Sequence, residues 1–470
     1  MCRAIPRVVL LATLGSDSQT PLPFCLIHSE IYMATNVFPH PEPRVEFVPP
    51  APPPSIPPQT VKLTKSRLDS IDLLRGIVMV IMMLDHTRDF VHYAAIQGFD
   101  PTDLSHTSAK LFFTRWITHF CAPVFVFLAG TSAYLQLARG KSKGELSRFL
   151  ITRGLWLIFL ELTLVRIGAF FNVDYIQFLG VAQVIWVIGL SMIFLAALIH
   201  LPVRLVAAFG ILMIALHNLL DRFHVQGWRG PTSPVPGFWS KIFIILHQGW
   251  EAFPILSSPS PVIVIAYPLI PWVGVMAVGF AFGALYQLPA ERRQRLLLWT
   301  GALITALFFI LRAINIYGDP SRWSHQPSTT LTVISFFNVT KYPPSLLFLL
   351  MTLGPAIIAL ALFEPNKNEE RGVMLARVRN FFITFGRVPL FFYLLQWPTA
   401  HLISVLVHLI TGKPVSWLFS QTPGVAPPNA GFNLLVVYAC WVAGILLLYP
   451  LCKWFAGVKQ RRRDWWLSYL

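Results

Sequence analysis

The sequence predicts an all-α integral membrane protein of about ten transmembrane helices, with its N-terminus and C-terminus both cytoplasmic. Three observations predict it. The 470 residues are 55% hydrophobic and only 12% charged, with mean hydropathy +0.60, whereas a soluble domain is about a quarter charged. The apolar residues gather into runs of roughly 18 or more, the length that spans a bilayer. Lys and Arg are distributed unevenly between these runs, as topology-setting charges are. The net charge of +16 is therefore not read as a nucleic-acid footprint, because the basic residues are scattered between apolar spans.

The expected spans are 70–90, 111–137, 148–168, 177–199, 203–220, 261–286, 296–316, 345–363, 381–410 and 432–455. Each crosses about 30 Å of hydrocarbon at about 1.5 Å per residue. Counted from residue 61 and including span ends, with the N-terminus inside, the inner segments hold 21 Lys and Arg and the outer ones 11. The strongest inner markers are Arg139–Arg153, Arg292–Arg295 and Lys459–Arg463. Two longer outer loops, about 221–260 and 317–344, are rich in Pro, Trp and Gly. Pro123, Pro268, Pro271, Pro355, Pro389 and Pro398 interrupt spans. Broken backbone at membrane depth is tolerated where it is buried or lines a cavity. The ninth span, with two prolines, is expected to be kinked or divided.

Residues 1–60 form a separate compositional class, a disordered Pro-rich tail that includes PPAPPPSIPP at Pro49–Pro58. Met33 is an alternative start. Residues 61–470 form one polytopic domain. The five cysteines show neither a disulfide framework nor ligand spacing, so no metal site is expected.

The first span, SIDLLRGIVMVIMMLDHTRDF, carries six ionisable groups, which is costly in lipid unless they face protein or water. At about 100° per residue, Asp72, Arg75, His86 and Asp89 share one face, while Asp85 and Arg88 share a second. Asp72 and Arg75 read as an i,i+3 pair anchoring the helix start. Arg88 and Asp89 read as an interfacial pair. His86 sits about 8 Å below the outer surface, where a histidine beside a carboxylate can serve as a general base near neutral pH. His119 of the second span lies at a similar depth, roughly 12 Å, and is expected across one cavity from His86. Glu161 lies near mid-bilayer on the third span, with Arg166 or a histidine as its expected partner. Arg312, Asn315, Asp319 and Lys341 mark outer loop edges, and Gln396, His401 and His408 lie on the ninth span. Walker A, dinucleotide, HExxH and GxSxG patterns are absent.

Several blocks carry a resemblance: RLDSIDLLRGIVMVIMMLDHTRDF, RWITHFCAPVFVFLAGTSA and ELSRFLITRGLWLIFLE, then YPLIPWVGVMAVGFAFG, INIYGDP, TKYPPSLLFLLMTLGP and FGRVPLFFYLL. Together they resemble a bacterial multi-span membrane family similar to the catalytic domain of heparan-α-glucosaminide N-acetyltransferase. The resemblance implies transfer of an acetyl or other acyl group from cytoplasmic acyl-CoA, acetyl-CoA in that family, to a sugar or other acceptor at the outer face. It implies a histidine near the far-side end of the first two spans, for which His86, His106 and His119 are the candidates. Asp85 stands where that family usually has asparagine, and Gln396 where the bacterial proteins often have histidine. The candidate catalytic set is therefore His86, Asp85, His119, Glu161, Asp89 and His106. Arg139, Lys141, Lys143, Arg148 and Arg153 are the candidate ligands for CoA phosphates. The expected setting is the bacterial cytoplasmic (inner) membrane, with the lipid bilayer and a small-molecule or glycan acceptor as partners and no nucleic acid. Oligomeric state is open, a dimer included. The competing reading is a proton-coupled transporter that uses the same Asp/His/Glu cluster.

Overall fold

A computed structural model describes residues 68–256, 260–364, 372–420, 426–462 and 464–470. The Pro-rich tail and Met33 lie outside the described residues. The chain is mostly helical. Helix α1 spans Asp69–Val91 and α2 Ala109–Ala138, with a 3-10 turn at Thr118–Phe120. Helix α3, Lys143–Leu160, opens on a capping box in which Ser142 and Glu145 exchange hydrogen bonds. It runs on through a π-helical turn, Glu161–Val165, into Arg166–Phe170.

After this turn the chain departs from the helical expectation. The fourth and sixth expected spans each begin as strand: β1 is Phe178–Ala182, before α4 (Val184–Leu198) and α5 (Val203–Leu216). Helix α6, Phe238–His247, precedes β2 (Glu251–Pro254) and β3 (Val262–Ile265), which leads into α7, Trp272–Phe282. Strand β3 pairs parallel with β1 and antiparallel with β2. A short apolar run buries as well in a strand as in a helix, so hydropathy alone does not separate them. The strands satisfy their backbone groups against each other at a place where the chain is not helical.

Helix α8 is Ala290–Ile314, α9 Leu346–Phe363, α10 Val373–Arg387, α11 Pro389–Ile410 and α12 Leu434–Arg461. The ninth expected span is thus divided, with Pro389 opening α11 at a position where a missing N–H costs nothing. Six of the described helices are long and apolar enough to cross a membrane: α2, α5 with its 3-10 extension, α8, α9, α11 and α12.

Helix α1 is the central element and packs against α2, α9, α10, α11 and α12. Its approach to α10 is close because two glycines meet. A Cβ on Gly76 would lie 1.8 Å from the Phe382 carbonyl oxygen, and one on Gly386 1.8 Å from that of Asp72. The start of α1 is pinned further by Glu364, which accepts from Ser70 at 3.3 Å and from Arg293 at 2.5 Å.

Candidate functional site

One stripe of α1 carries the site. Arg75, Met79, Met82 and His86 recur at helical spacing, so they project from one side. The first three line a cavity of about 320 Å3, within the usual size of ligand sites, about 300–1,000 Å3. Met82 and His86 line a second, smaller cavity of about 30 Å3. The two adjoin, because Met82 and Val184 line both. From Arg75 to His86 the helix rises about 16 Å.

The larger cavity is mostly apolar, with Phe125, Phe149, Ile188 and Leu390 among its walls. Its cationic groups are Arg75, Arg153, Arg387 and Lys459. Arg75 donates to Asp72 at 3.1 Å, to Ser132 at 3.2 Å and to the Gly386 carbonyl at 3.3 Å. The anchoring pair expected at the helix start is therefore present, and its arginine also lines the cavity.

Of the five basic residues expected to meet phosphates, Arg153 lines this cavity. Lys141 stands behind the lining, with Nζ over the Phe149 ring at 4.1 Å and bonded to Gln136 at 2.8 Å. Lys143 donates instead to the His200 carbonyl at 3.1 Å, and Arg139 and Arg148 are exposed. Arg387 and Lys459 were missed because they arrive from α10 and α12, far along the chain.

The smaller cavity gathers side chains from five parts of the chain: His86, Thr118 with Cys121, Gln183, Tyr267 and Lys341. The sheet delivers two of them. Gln183 follows β1 directly, and Tyr267 follows β3, its amide donating to the Ala182 carbonyl at 3.1 Å. His86 is buried, and its ring lies 3.9 Å from that of Trp397. Neither ring nitrogen has a hydrogen-bond partner among the described residues. The nearest carboxylate oxygen belongs to Asp89, 4.0 Å from Nδ1. An unpaired buried imidazole facing a cavity is poised to bond whatever enters.

The other candidates are placed differently. Asp85 also lines the small cavity, but its carboxylate is held by Arg88 at 3.1 Å and by Arg115. It is thus committed to two guanidinium groups rather than to orienting His86. His119 does not face His86 across the cavity. The 3-10 turn eclipses side chains three apart, so Thr118 and Cys121 face inward while the His119 ring packs 5.3 Å from Phe348. His106 is exposed on a loop, bonded to Asp103 at 3.0 Å and Ser105 at 2.7 Å. Hydrogen bonds from Ser105 pull the Asp103 carboxyl down to about 2. Glu161 caps α4: one oxygen accepts from the amides of Ile185 at 3.0 Å and Trp186 at 3.1 Å. Arg166 is not its partner, and donates to the carbonyls of Asn172 and Asp174 in the loop before β1 and of Phe178 at its first residue.

Residues 67–318 match the family model described as heparan-alpha-glucosaminide N-acetyltransferase, catalytic. The chain belongs to that family. A comparison with curated proteins finds no match. Membership gives the protein a membrane acetyltransferase-like character. The matched stretch includes α1, both candidate histidines of the first two spans and the β1 and β3 strands. Lys341, Arg387 and Trp397 lie beyond it. Among the described residues no group of His, Cys, Asp and Glu could hold a metal ion.

Proposed function

We propose that the protein transfers a short acyl group from acyl-CoA on the cytoplasmic side to an acceptor on the outer side, with His86 as the general base. In this reading the chain crosses the bacterial inner membrane ten times and both termini are cytoplasmic. The observation that carries it is the single stripe Arg75–Met79–Met82–His86 lining two adjoining cavities. Arg75, Arg153, Arg387 and Lys459 supply cationic partners for phosphates. The apolar walls suit a pantetheine arm, and the rise of about 16 Å from Arg75 to His86 suits its extended length.

The small cavity would then hold the thioester beside His86. The imidazole removes a proton from the acceptor amine or hydroxyl as it attacks the carbonyl carbon. It later returns that proton to the departing thiolate. Asp89 is the carboxylate nearest the imidazole and can stabilise its charged form. His119 and Glu161 stand outside the small cavity lining and support it through packing and helix capping. The acceptor class follows the family, an amino sugar, while other outer-face acceptors are testable alternatives.

The test uses purified protein in lipid vesicles with labelled acetyl-CoA and amino-sugar acceptors. His86→Ala is expected to lower transfer by about 10²–10⁴-fold with unchanged thermal stability in detergent. Wild-type transfer by His86→Ala would overturn the assignment. Movement of acceptor or protons across the vesicle with no acyl transfer would favour a transporter.

A further inference from the structure

The small cavity contains a cation that the family match does not reach. Lys341 is 8% exposed and lines the cavity opposite α1. Among the described residues its ammonium has neither a hydrogen bond nor an ion pair, and it lies 5.2 Å from the centre of the Tyr342 ring. The obvious counter-ion, Asp85, is already taken by Arg88 and Arg115. The side chain is otherwise enclosed, and its ammonium is left to be satisfied by whatever occupies the cavity, water or a ligand.

The backbone around it is tightly clamped. Asp319, in the Tyr317–Pro320 turn, accepts from the Thr340 amide at 2.9 Å, the Thr340 hydroxyl at 3.0 Å and the Ser345 hydroxyl at 2.6 Å. On the other side His217 bonds the Pro344 carbonyl at 2.9 Å, and Asn218 accepts from the Leu346 amide at 2.9 Å. Residues on both flanks of Lys341 are thus fixed, which holds its backbone at the cavity edge. The space before it, about 30 Å3, takes roughly two waters or one small acyl group.

Resting on the acyl-transfer reading, we propose that Lys341 is a catalytic residue that binds the thioester carbonyl oxygen. The acceptor gives its proton to His86 and forms a bond to the carbonyl carbon. The carbonyl π pair moves onto oxygen, where the Lys341 ammonium donates a hydrogen bond to the developing charge. When the pair returns, the carbon–sulfur bond breaks and the thiolate takes the proton from the imidazolium. Such a donor acts most strongly on the transition state, because the charge exists only there.

The experiment compares wild type, Lys341→Met and Lys341→Arg for acetyl transfer, acetyl-CoA KM and thermal unfolding in detergent. Lys341→Met is expected to lower kcat by about 10²–10³-fold and to leave KM within about threefold, with stability little changed because the ammonium has no hydrogen bond or ion pair to lose among the described residues. Lys341→Arg should recover part of kcat. Should wild type transfer acetyl in a His86-dependent way and Lys341→Met keep full kcat, this proposal fails and the broader reading stands. A loss confined to KM, or a fall in stability that accounts for the lost activity, also overturns it. No transfer by wild type would end both.

Discussion

Glu161 looks like a proton carrier and behaves, by its contacts, as a brace. Its residue is 1% exposed, and one carboxylate oxygen takes two of the amides that open α4. A helix start leaves such amides without intrahelical partners, and an anion there is favoured by the helix dipole as well. Ile185, one of the two residues so held, lines the larger cavity together with its neighbour Val184. The π-helical turn at Glu161–Val165 re-aims the side chain to reach them. Glu161→Ala is therefore expected to cost about 1–3 kcal/mol for each orphaned amide, seen as a lower unfolding temperature in detergent. Glu161→Gln keeps a carbonyl acceptor and should retain most transfer. Near-complete loss of transfer in a stably folded Glu161→Gln protein would restore the residue to the proton path.

At the scale of elements, the crossing of α1 over α10 decides which cationic side chains share the larger cavity. Backbones touch at Gly76 and Gly386, where a Cβ would sit 1.8 Å from a carbonyl oxygen of the opposite helix. Small residues at such crossings permit close approach between helices in membranes. The crossing brings Arg387, at the end of α10, to the same cavity as Arg75. Gly386→Val must push the two helices apart. It is expected to destabilise the protein by about 1–3 kcal/mol and to raise the acetyl-CoA KM several-fold more than Ser132→Ala, which removes one bond to Arg75 without moving backbone. Equal effects of the two changes would show that the crossing does not set the donor site. Helix spacing made α1 readable in advance. The strands were not readable, because VIVI and FLGVA satisfy a hydropathy scan as well as a helix does.

At the scale of the whole molecule, two cavities of very different size adjoin at Met82 and Val184. The larger tolerates an extended ligand, while the smaller leaves little room beyond an acetyl group. Forcing extra methylenes into packed surroundings typically costs about 1–3 kcal/mol, and about 1.4 kcal/mol is tenfold in rate. Hexanoyl-CoA is thus expected to show kcat/KM about 10–100-fold below acetyl-CoA, while free CoA inhibits both reactions equally. Indifference to acyl length would mean that the thioester does not enter the cavity beside His86.

The sequence by itself determined the membrane character, the face of α1 that carries Asp72, Arg75 and His86, and the family. These follow from local rules: an apolar run must meet lipid or protein, and a helix repeats its face every three to four residues. Only the tertiary structure set the three histidines apart in their surroundings, because burial beside a cavity, a 3-10 turn and an exposed loop all read alike as His in a chain. It also decided the cationic groups of the two cavities. Arg387, Lys459 and Lys341 meet α1 across hundreds of intervening residues, and no local pattern encodes which distant helix or loop will close on a given face. Lys341 in particular reads as a loop charge in TKYPPS, and it becomes a cavity-lining cation only once Asp319, His217 and Asn218 hold that loop in place.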